Sequence, residues 1–155
     1  MRGGYIVTRQ ETVNPIVLST TELRKVPTEI IINPDHKRRA IGQVIYDDGY
    51  DKDVLADKKY IHLEMSFYED QIFFNRITNY GEYNYNDIVI DKITILRADY
   101  LRKNLKAQVQ DMKEKIYYTD ISYLEDRVEI NLKKMNISFL NIKNIYLINK
   151  DFFEE

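Results

Sequence analysis

Apolar and polar residues alternate one by one over several segments of this chain. In the segment 61–67, isoleucine, leucine, methionine and phenylalanine occupy every second position, with polar residues between them. The same alternation runs through 128–132 and 135–139. A period of two is typical of strands that bury one face in an antiparallel sheet. The pattern therefore predicts a strand in each of the three segments.

Short runs of β-branched residues predict further strands, buried on both faces. Such runs occur at 29–32, 88–90 and 93–96. Turn-forming segments, among them Asn33-Pro34-Asp35 and Asn79-Tyr80-Gly81, separate the runs from their neighbours. Short strands with turns at this spacing indicate an all-β fold, built as an antiparallel β-sandwich or as two of them.

A helical stripe competes with this pattern between residues 99 and 115. Its apolar residues lie three or four positions apart, at Leu101, Leu105, Val109, Met112 and Ile116. The lysines and glutamines between them are good helix formers. Two interpretations of 99–115 remain open at this point: a short helix, or a strand that the surrounding topology imposes.

Composition and charge restrict the classes of function. The 155 residues are 44% hydrophobic, which is sufficient for a packed core, and carry a net charge of −2 from 23 basic and 25 acidic residues. Balanced, interspersed charge argues against nucleic acid or an anionic membrane as the main partner. The sequence predicts neither a transmembrane helix nor a signal peptide. Because cysteine is absent, disulfides and thiolate metal sites are excluded.

Two glycine-centred segments are explained locally by backbone geometry. Gly3-Gly4 precedes an apolar strand and allows a positive φ or a close backbone approach. Asp48-Gly49 ends the alternating run that begins at Ala40 and predicts a hairpin turn.

In this order and at this separation, the two segments resemble the C-terminal region of glycoside hydrolase family 31, the α-glucosidases and maltases. The family pattern R-G-G-Y-I-x-x-x-Q matches residues 2–10, and A-x-G-x-x-(Y/F)-x-D-D-G matches residues 40–49 except at position 45, where the chain has Ile and the aromatic residue, Tyr46, follows one position later. The resemblance is specific through these segments and looser beyond them. The residues that carry it as structural motifs are Arg2, Gly3, Gly4, Gly42, Asp47, Asp48 and Gly49.

The resemblance implies that the chemistry of the parent enzyme lies outside this chain. Family 31 enzymes are retaining glycosidases that hydrolyse α-glucosidic bonds with two carboxylates about 5–5.5 Å apart. The family's nucleophile lies in a W-x-D-M-N-E strand of a (β/α)8 barrel, and no segment here matches that motif. No catalytic residue can therefore be carried over. The implied partner is the catalytic barrel, which would precede Arg2 in the parent enzyme.

The resemblance also divides the chain into two parts. Residues 1–66 are expected to form the latter part of the proximal C-terminal β-domain, and residues 67–155 the distal C-terminal β-sandwich. The implied function is that of a non-catalytic accessory fragment in carbohydrate metabolism, with a secretory, lysosomal or extracellular location for the parent. The alternative is a free-standing carbohydrate-binding or protein-interaction β-sandwich.

Acidic residues near the predicted hairpin are the first candidates for chemistry. Asp47 and Asp48 are adjacent on a strand and point to opposite faces, which is unsuitable for a carboxylate pair. An EF-hand loop starting at Asp47 would need Gly and Glu where the chain has Lys52 and Lys58. His36 and His62 lack a second histidine at metal-ligand spacing. The sequence therefore predicts neither a metal nor a cofactor.

Two further sets of residues are candidates for binding or modification. Tyr80, Tyr83 and Tyr85 border a loop rich in glycine and asparagine, and tyrosine rings can stack on sugars. They are candidate carbohydrate contacts. Asn136-Ile137-Ser138 is a glycosylation sequon, although the alternation places it within a predicted strand.

Overall fold

The computed structural model describes residues 2–10, 22–23, 25–47, 52–53, 56–57, 60–79, 88–101 and 104–153. Within them the backbone forms ten strands and three short 3-10 helices, and the all-β prediction is confirmed. The strands are β1 Tyr5–Gln10, β2 Thr28–Asn33, β3 Arg39–Asp47, β4 Tyr60–Tyr68, β5 Gln71–Asn79, β6 Ile90–Leu96, β7 Leu105–Asp111, β8 Ile116–Tyr123, β9 Arg127–Asn131 and β10 Ile142–Asn149. The 3-10 helices are Lys133–Met135, Phe139–Asn141 and Lys150–Phe153.

The ten strands make one closed sheet in the order β1-β2-β6-β9-β8-β7-β10-β5-β4-β3, with β3 returning to β1. This differs from the predicted antiparallel sandwich, because β2 pairs with β6 and β1 with β3 in parallel. A period of two reports which face of a strand is buried. It does not report which strand is the neighbour or in which direction that neighbour runs.

Isoleucine fills much of the interior. Ile30, Ile32, Ile93, Ile95 and Ile130 are fully buried on the three adjacent strands β2, β6 and β9. Three aromatic rings lie elsewhere in the same core, where Phe139 packs edge-on against Tyr46 and Phe74 at centroid distances of 5.8 and 5.9 Å. Burial of this kind is the main stabilising contribution to the fold.

The predicted boundary between Ser66 and Phe67 lies inside β4. Phe67 is opposite Ala40 on β3 and opposite Ile72 on β5, and all three side chains belong to one core. The division of the chain at residue 66 stays a prediction, while strands from both sides of it contribute to the same sheet.

The segment 105–111 is a strand, so the helical interpretation of 99–115 does not hold there. Leu105, Ala107, Val109 and Asp111 are buried in alternation along β7. Leu105 and Val109 are four residues apart, an even number, which places them on one face of a strand as well as on one face of a helix. Ala107 between them decides the question, because only the strand buries it with the other two. Residues 102 and 103 lie outside the described residues.

The predicted strand at 135–139 is replaced by two 3-10 turns. Asn136 has φ 45° and ψ 45°, a left-handed conformation that interrupts a strand and ends the helix Lys133–Met135. The Ser138 hydroxyl accepts a hydrogen bond from the Leu140 N–H and so caps the next turn. One bridge, Val89↔Ser138, joins this segment to the chain just before β6.

Candidate interaction surface

Gly4 ties the start of β1 to two other strands. Its φ is +91°, which L-residues with a side chain rarely adopt. In this conformation its N–H donates to the Asn33 carbonyl (2.7 Å) and its own carbonyl accepts from the Ile41 N–H (3.1 Å). The Gly3-Gly4 pair, which the sequence associates with unusual backbone geometry, therefore fixes where β1 enters the sheet.

Gly42 allows β3 to approach β1 closely. A Cβ at this position would lie 2.3 Å from the Ile6 carbonyl oxygen and 2.7 Å from the Ile6 Cβ. Distances this short are incompatible with any side chain unless the backbone moves. The sequence singled out Gly42 through the resemblance, and the structure gives the reason: Gly42 lies at the seam where the sheet closes.

Large apolar side chains lie exposed on the outer face of β1 and β3. Tyr5 is 49% exposed, Val7 42%, Ile41 64% and Ile45 53%, and Tyr5 and Ile41 are direct partners across the seam. We call these four residues the β1–β3 apolar face. A depression of about 260 Å³ opens beside Tyr5 and Ile41, with Glu64 at its polar rim. Adjacent exposed apolar residues of this kind are typical of interaction sites.

A second depression, of about 610 Å³, lies beside the first described residue, Arg2. Arg38 reaches over the ring of Tyr100, with its guanidinium carbon 4.7 Å from the ring centroid. Burial raises the pKa of Tyr100 to about 12, so the phenol stays protonated at neutral pH. Asp35 is held by backbone N–H groups of Arg39 and Lys37, which lower the pKa of its carboxyl. Arg38 and Asp35 are thus each engaged with other groups of the fold.

Charged residues of alternating sign form a row across β1, β2, β6 and β9. Glu29, at its centre, is 8% exposed and accepts hydrogen bonds from Arg9 Nε (2.9 Å) and Thr94 Oγ1 (2.7 Å). Lys92 Nζ lies 3.2 Å from Glu29 and 3.9 Å from Glu129. Burial alone would raise the pKa of Glu29, but these hydrogen bonds and the Lys92 charge outweigh it and hold that pKa below its ordinary value.

Of the residues weighed for chemistry, Asp47 and His62 lie on the neighbouring strands β3 and β4, whereas the two glycine-centred segments meet at the seam between β1 and β3. Asp47 ends β3 opposite Tyr60, the first residue of β4. His62 is half-buried on β4, and its Nε2 lies 3.3 Å from Gln43 Oε1. Among the described residues, no three His, Cys, Asp or Glu side chains are grouped so that they could hold a metal.

Several candidates lie outside the described residues. These are Asp48 and Gly49 of the predicted turn, and Tyr80, Tyr83 and Tyr85 of the predicted carbohydrate contact. Asn136 of the sequon is described and exposed. In the part of the chain that the structure covers, no helix has the length and apolar character needed to cross a membrane.

Comparison with known proteins relates this fold to parts of much larger polypeptides. No model of a protein family matches the chain. Probable maltase-glucoamylase 2 of Homo sapiens is 36% identical over 103 residues, which is 64% of this chain and 4% of that protein. Intestinal sucrase-isomaltase of Rattus norvegicus is 37% identical over 75 residues, which is 48% of this chain and again 4% of that protein.

Solved structures share the fold over nearly the whole chain. A crystal structure of the ER glucosidase II heterodimeric complex, consisting of the catalytic subunit and the binding domain of the regulatory subunit, has a TM-score of 0.80 at 17% identity. That match covers 96% of this chain and 17% of the other. An α-1,4-glucan lyase from Gracilariopsis lemaneiformis has a TM-score of 0.60 at 14% identity, over 95% of this chain and 16% of the other.

Together these findings define the class of the protein as an all-β region that recurs within larger carbohydrate-active polypeptides. The resemblance to the C-terminal region of glycoside hydrolase family 31 is confirmed by the sequence relatives and by the shared fold. The chain spans only a small part of the length of these proteins.

Proposed function

We propose that this chain is a non-catalytic accessory β-domain region of a family 31 glycoside hydrolase. The observation that carries the proposal is the unequal coverage: the fold of nearly the whole chain recurs in one sixth of the glucosidase II catalytic polypeptide. Retaining hydrolysis of α-glucosidic bonds would take place on the catalytic barrel of the parent enzyme. This region would support the barrel.

The β1–β3 apolar face supports the same proposal. Four large apolar side chains are exposed side by side on two joined strands, and a depression beside them could receive a partner's side chain. A face of this composition gains free energy when another protein surface covers it. In the proposed parent, the rest of the hydrolase polypeptide is the surface that covers it. A free-standing protein-interaction domain is the second candidate, because the same apolar face would serve it.

An activity assay tests the non-catalytic part of the proposal. We expect no hydrolysis of maltose or of an aryl α-glucoside by the purified 155-residue protein, since no segment of its sequence matches the nucleophile strand of family 31. Turnover by the wild type that disappears in Asp47→Ala or Asp48→Ala would contradict this expectation.

The size of the native product distinguishes the two candidate functions. An antibody against this chain, applied to an extract of the source cells, should recognise a polypeptide far larger than the 18.6 kDa of these 155 residues. A native product of 18.6 kDa would instead favour the free-standing domain.

Substitution of exposed isoleucines by lysine tests the role of the β1–β3 apolar face. The double variant Ile41→Lys/Ile45→Lys should keep the urea midpoint of the wild type, because both side chains point outward, and should bind less of a hydrophobic fluorescent dye. Ile77→Lys is the matched control, because Ile77 is 45% exposed but lies on β5. Equal loss of dye binding in Ile77→Lys and in the double variant would argue against a specific face.

A further inference from the structure

The chain contains a single Asn-x-Ser/Thr sequon, Asn136-Ile137-Ser138, in its 155 residues. The alternating pattern predicted a strand here, which would make the asparagine a poor acceptor. The structure instead places Asn136 at the end of the 3-10 helix Lys133–Met135, in the connection between β9 and β10. The geometric objection to the sequon is thereby removed.

Asn136 is exposed, whereas the two residues that follow it are buried. Ile137 is 7% exposed and Ser138 6% exposed. The backbone of Asn136 is left-handed, and the residue is exposed at the point where the chain turns after the 3-10 helix. Asparagine tolerates this conformation better than most residues. A glycan attached to Asn136 would extend into solvent without displacing the core.

We propose that Asn136 is an acceptor site for N-linked glycosylation. In this reaction Asn136 Nδ2 bonds to the anomeric carbon of a polyprenyl-diphosphate-linked oligosaccharide. The bond from that carbon to the diphosphate oxygen breaks, the lipid diphosphate leaves, and the amide loses one proton to a base of the transferase. The inference does not depend on the proposed accessory function.

Ser138 has two roles in this proposal, at two different times. The transferase needs its hydroxyl while the chain is still unfolded. In the folded protein the same hydroxyl is buried and accepts the Leu140 N–H. Glycosylation must therefore precede folding of this segment, and a threonine at position 138 should serve both roles.

A glycan at Asn136 would also orient the region within a larger enzyme. Asn136 borders two open depressions, one with Lys25 and Lys133 and one with Met112 and Met135. A bulky sugar there would keep both depressions in contact with solvent. The face that the rest of the polypeptide covers would then have to be a different one, and none of the residues of the β1–β3 apolar face lines either depression.

The acceptor site can be tested during translation, before the chain folds. For this test the full chain is translated behind a cleavable secretion leader in the presence of microsomes. We expect the protease-protected chain to carry one glycan that an N-glycan amidase removes. Asn136→Asp and Ser138→Ala should carry none, and Ser138→Thr should carry one. Lys133→Thr creates a second sequon at Asn131 and should carry two, which confirms that the segment is reached by the transferase.

A protease-protected wild-type chain without a glycan would overturn the proposal, as would a glycan that persists in Asn136→Asp. A second measurement uses the folded, secreted protein from a eukaryotic host. Amidase treatment of the glycosylated wild type removes the glycan and leaves aspartate at position 136, as in the Asn136→Asp variant. The treated wild type and the variant should therefore have equal masses and equal urea midpoints. A mass difference between them would place the glycan elsewhere and reject Asn136.

Discussion

Gly4 and Gly42 both belong to the glycine-centred segments, but glycine is needed at each for a different physical reason. At Gly4 the backbone itself is unusual, with φ +91°. At Gly42 the backbone is ordinary and the neighbour is the constraint, because the Ile6 carbonyl occupies the space of a side chain. A sequence shows only that glycine is present. It cannot separate these two causes, since the second depends on a residue 36 positions away.

Gly42→Ala should therefore destabilise the protein strongly. Relief of an overlap with backbone atoms requires β1 and β3 to separate, and overpacking of this kind costs about 1–3 kcal/mol. The urea unfolding midpoint measures the effect, with Gln43→Ala as the matched control on the exposed position next to it. Equal midpoints for Gly42→Ala and the control would show that the seam is not as close as described.

At the scale of elements, the row of charged residues links the four neighbouring strands β1, β2, β6 and β9. Glu29 connects Arg9 on β1 with Thr94 and Lys92 on β6. The period-two pattern gives no hint of this row, because its members are up to 120 residues apart in sequence. Its members are neighbours only because β1, β2, β6 and β9 lie side by side in the folded sheet.

Glu29 should make stability depend on pH in the acid range. Its pKa is lower in the folded protein than in the unfolded chain, so its contribution is fully present above the ordinary glutamate pKa of about 4.3 and is lost as the pH falls through the folded pKa. Glu29→Gln should cost about 1–3 kcal/mol at pH 7, since it leaves Arg9 and Lys92 without their shared anion.

Urea titrations of wild type and Glu29→Gln at pH 7 and at pH 3 check this prediction. We expect the two midpoints to differ at pH 7 and this difference to be smaller at pH 3. Glu114→Gln is a suitable control, because Glu114 pairs with Lys143 on the exposed surface. A difference between wild type and Glu29→Gln that stays constant over this range would contradict the lowered pKa.

For the whole molecule, closure of the sheet makes distant parts of the chain depend on one another. β4 supplies the partner of β5, and β2 supplies the parallel partner of β6. Both supporting strands lie largely or wholly before residue 67, while their partners lie after it. The predicted division at residue 66 therefore cuts two pairings of the sheet.

We expect the 155-residue chain to unfold in one cooperative transition and residues 67–155 alone to show none. The fragment would expose two strand edges and the apolar side chains of β6 that pack on β2. Circular dichroism during urea titration of both proteins measures the transitions. A cooperative transition in the fragment would establish the predicted distal domain as an independent unit.

Local pattern was sufficient for β4 and β9, where apolar and polar residues alternate, and for β2 and β6, where runs of β-branched residues predicted buried strands. It was insufficient for β7, where a spacing of four fits two kinds of element, and for Asn136, where an alternating stretch contains a left-handed residue. In both cases the residues that decided the outcome are those that contact other strands or turns. Of the candidate interaction surface, the sequence indicated only Gly3, Gly4 and Gly42, through the resemblance to family 31.

The sequence by itself determined the all-β class, most strands, and the relation to family 31, because these depend on residue types at short spacings. Only the tertiary structure decided the closure of the sheet, the parallel pairs, the charged row and the β1–β3 apolar face. Each of these depends on which strands become neighbours. Strand pairing is set by the free energy of burying all faces at once, which no local segment of the chain contains.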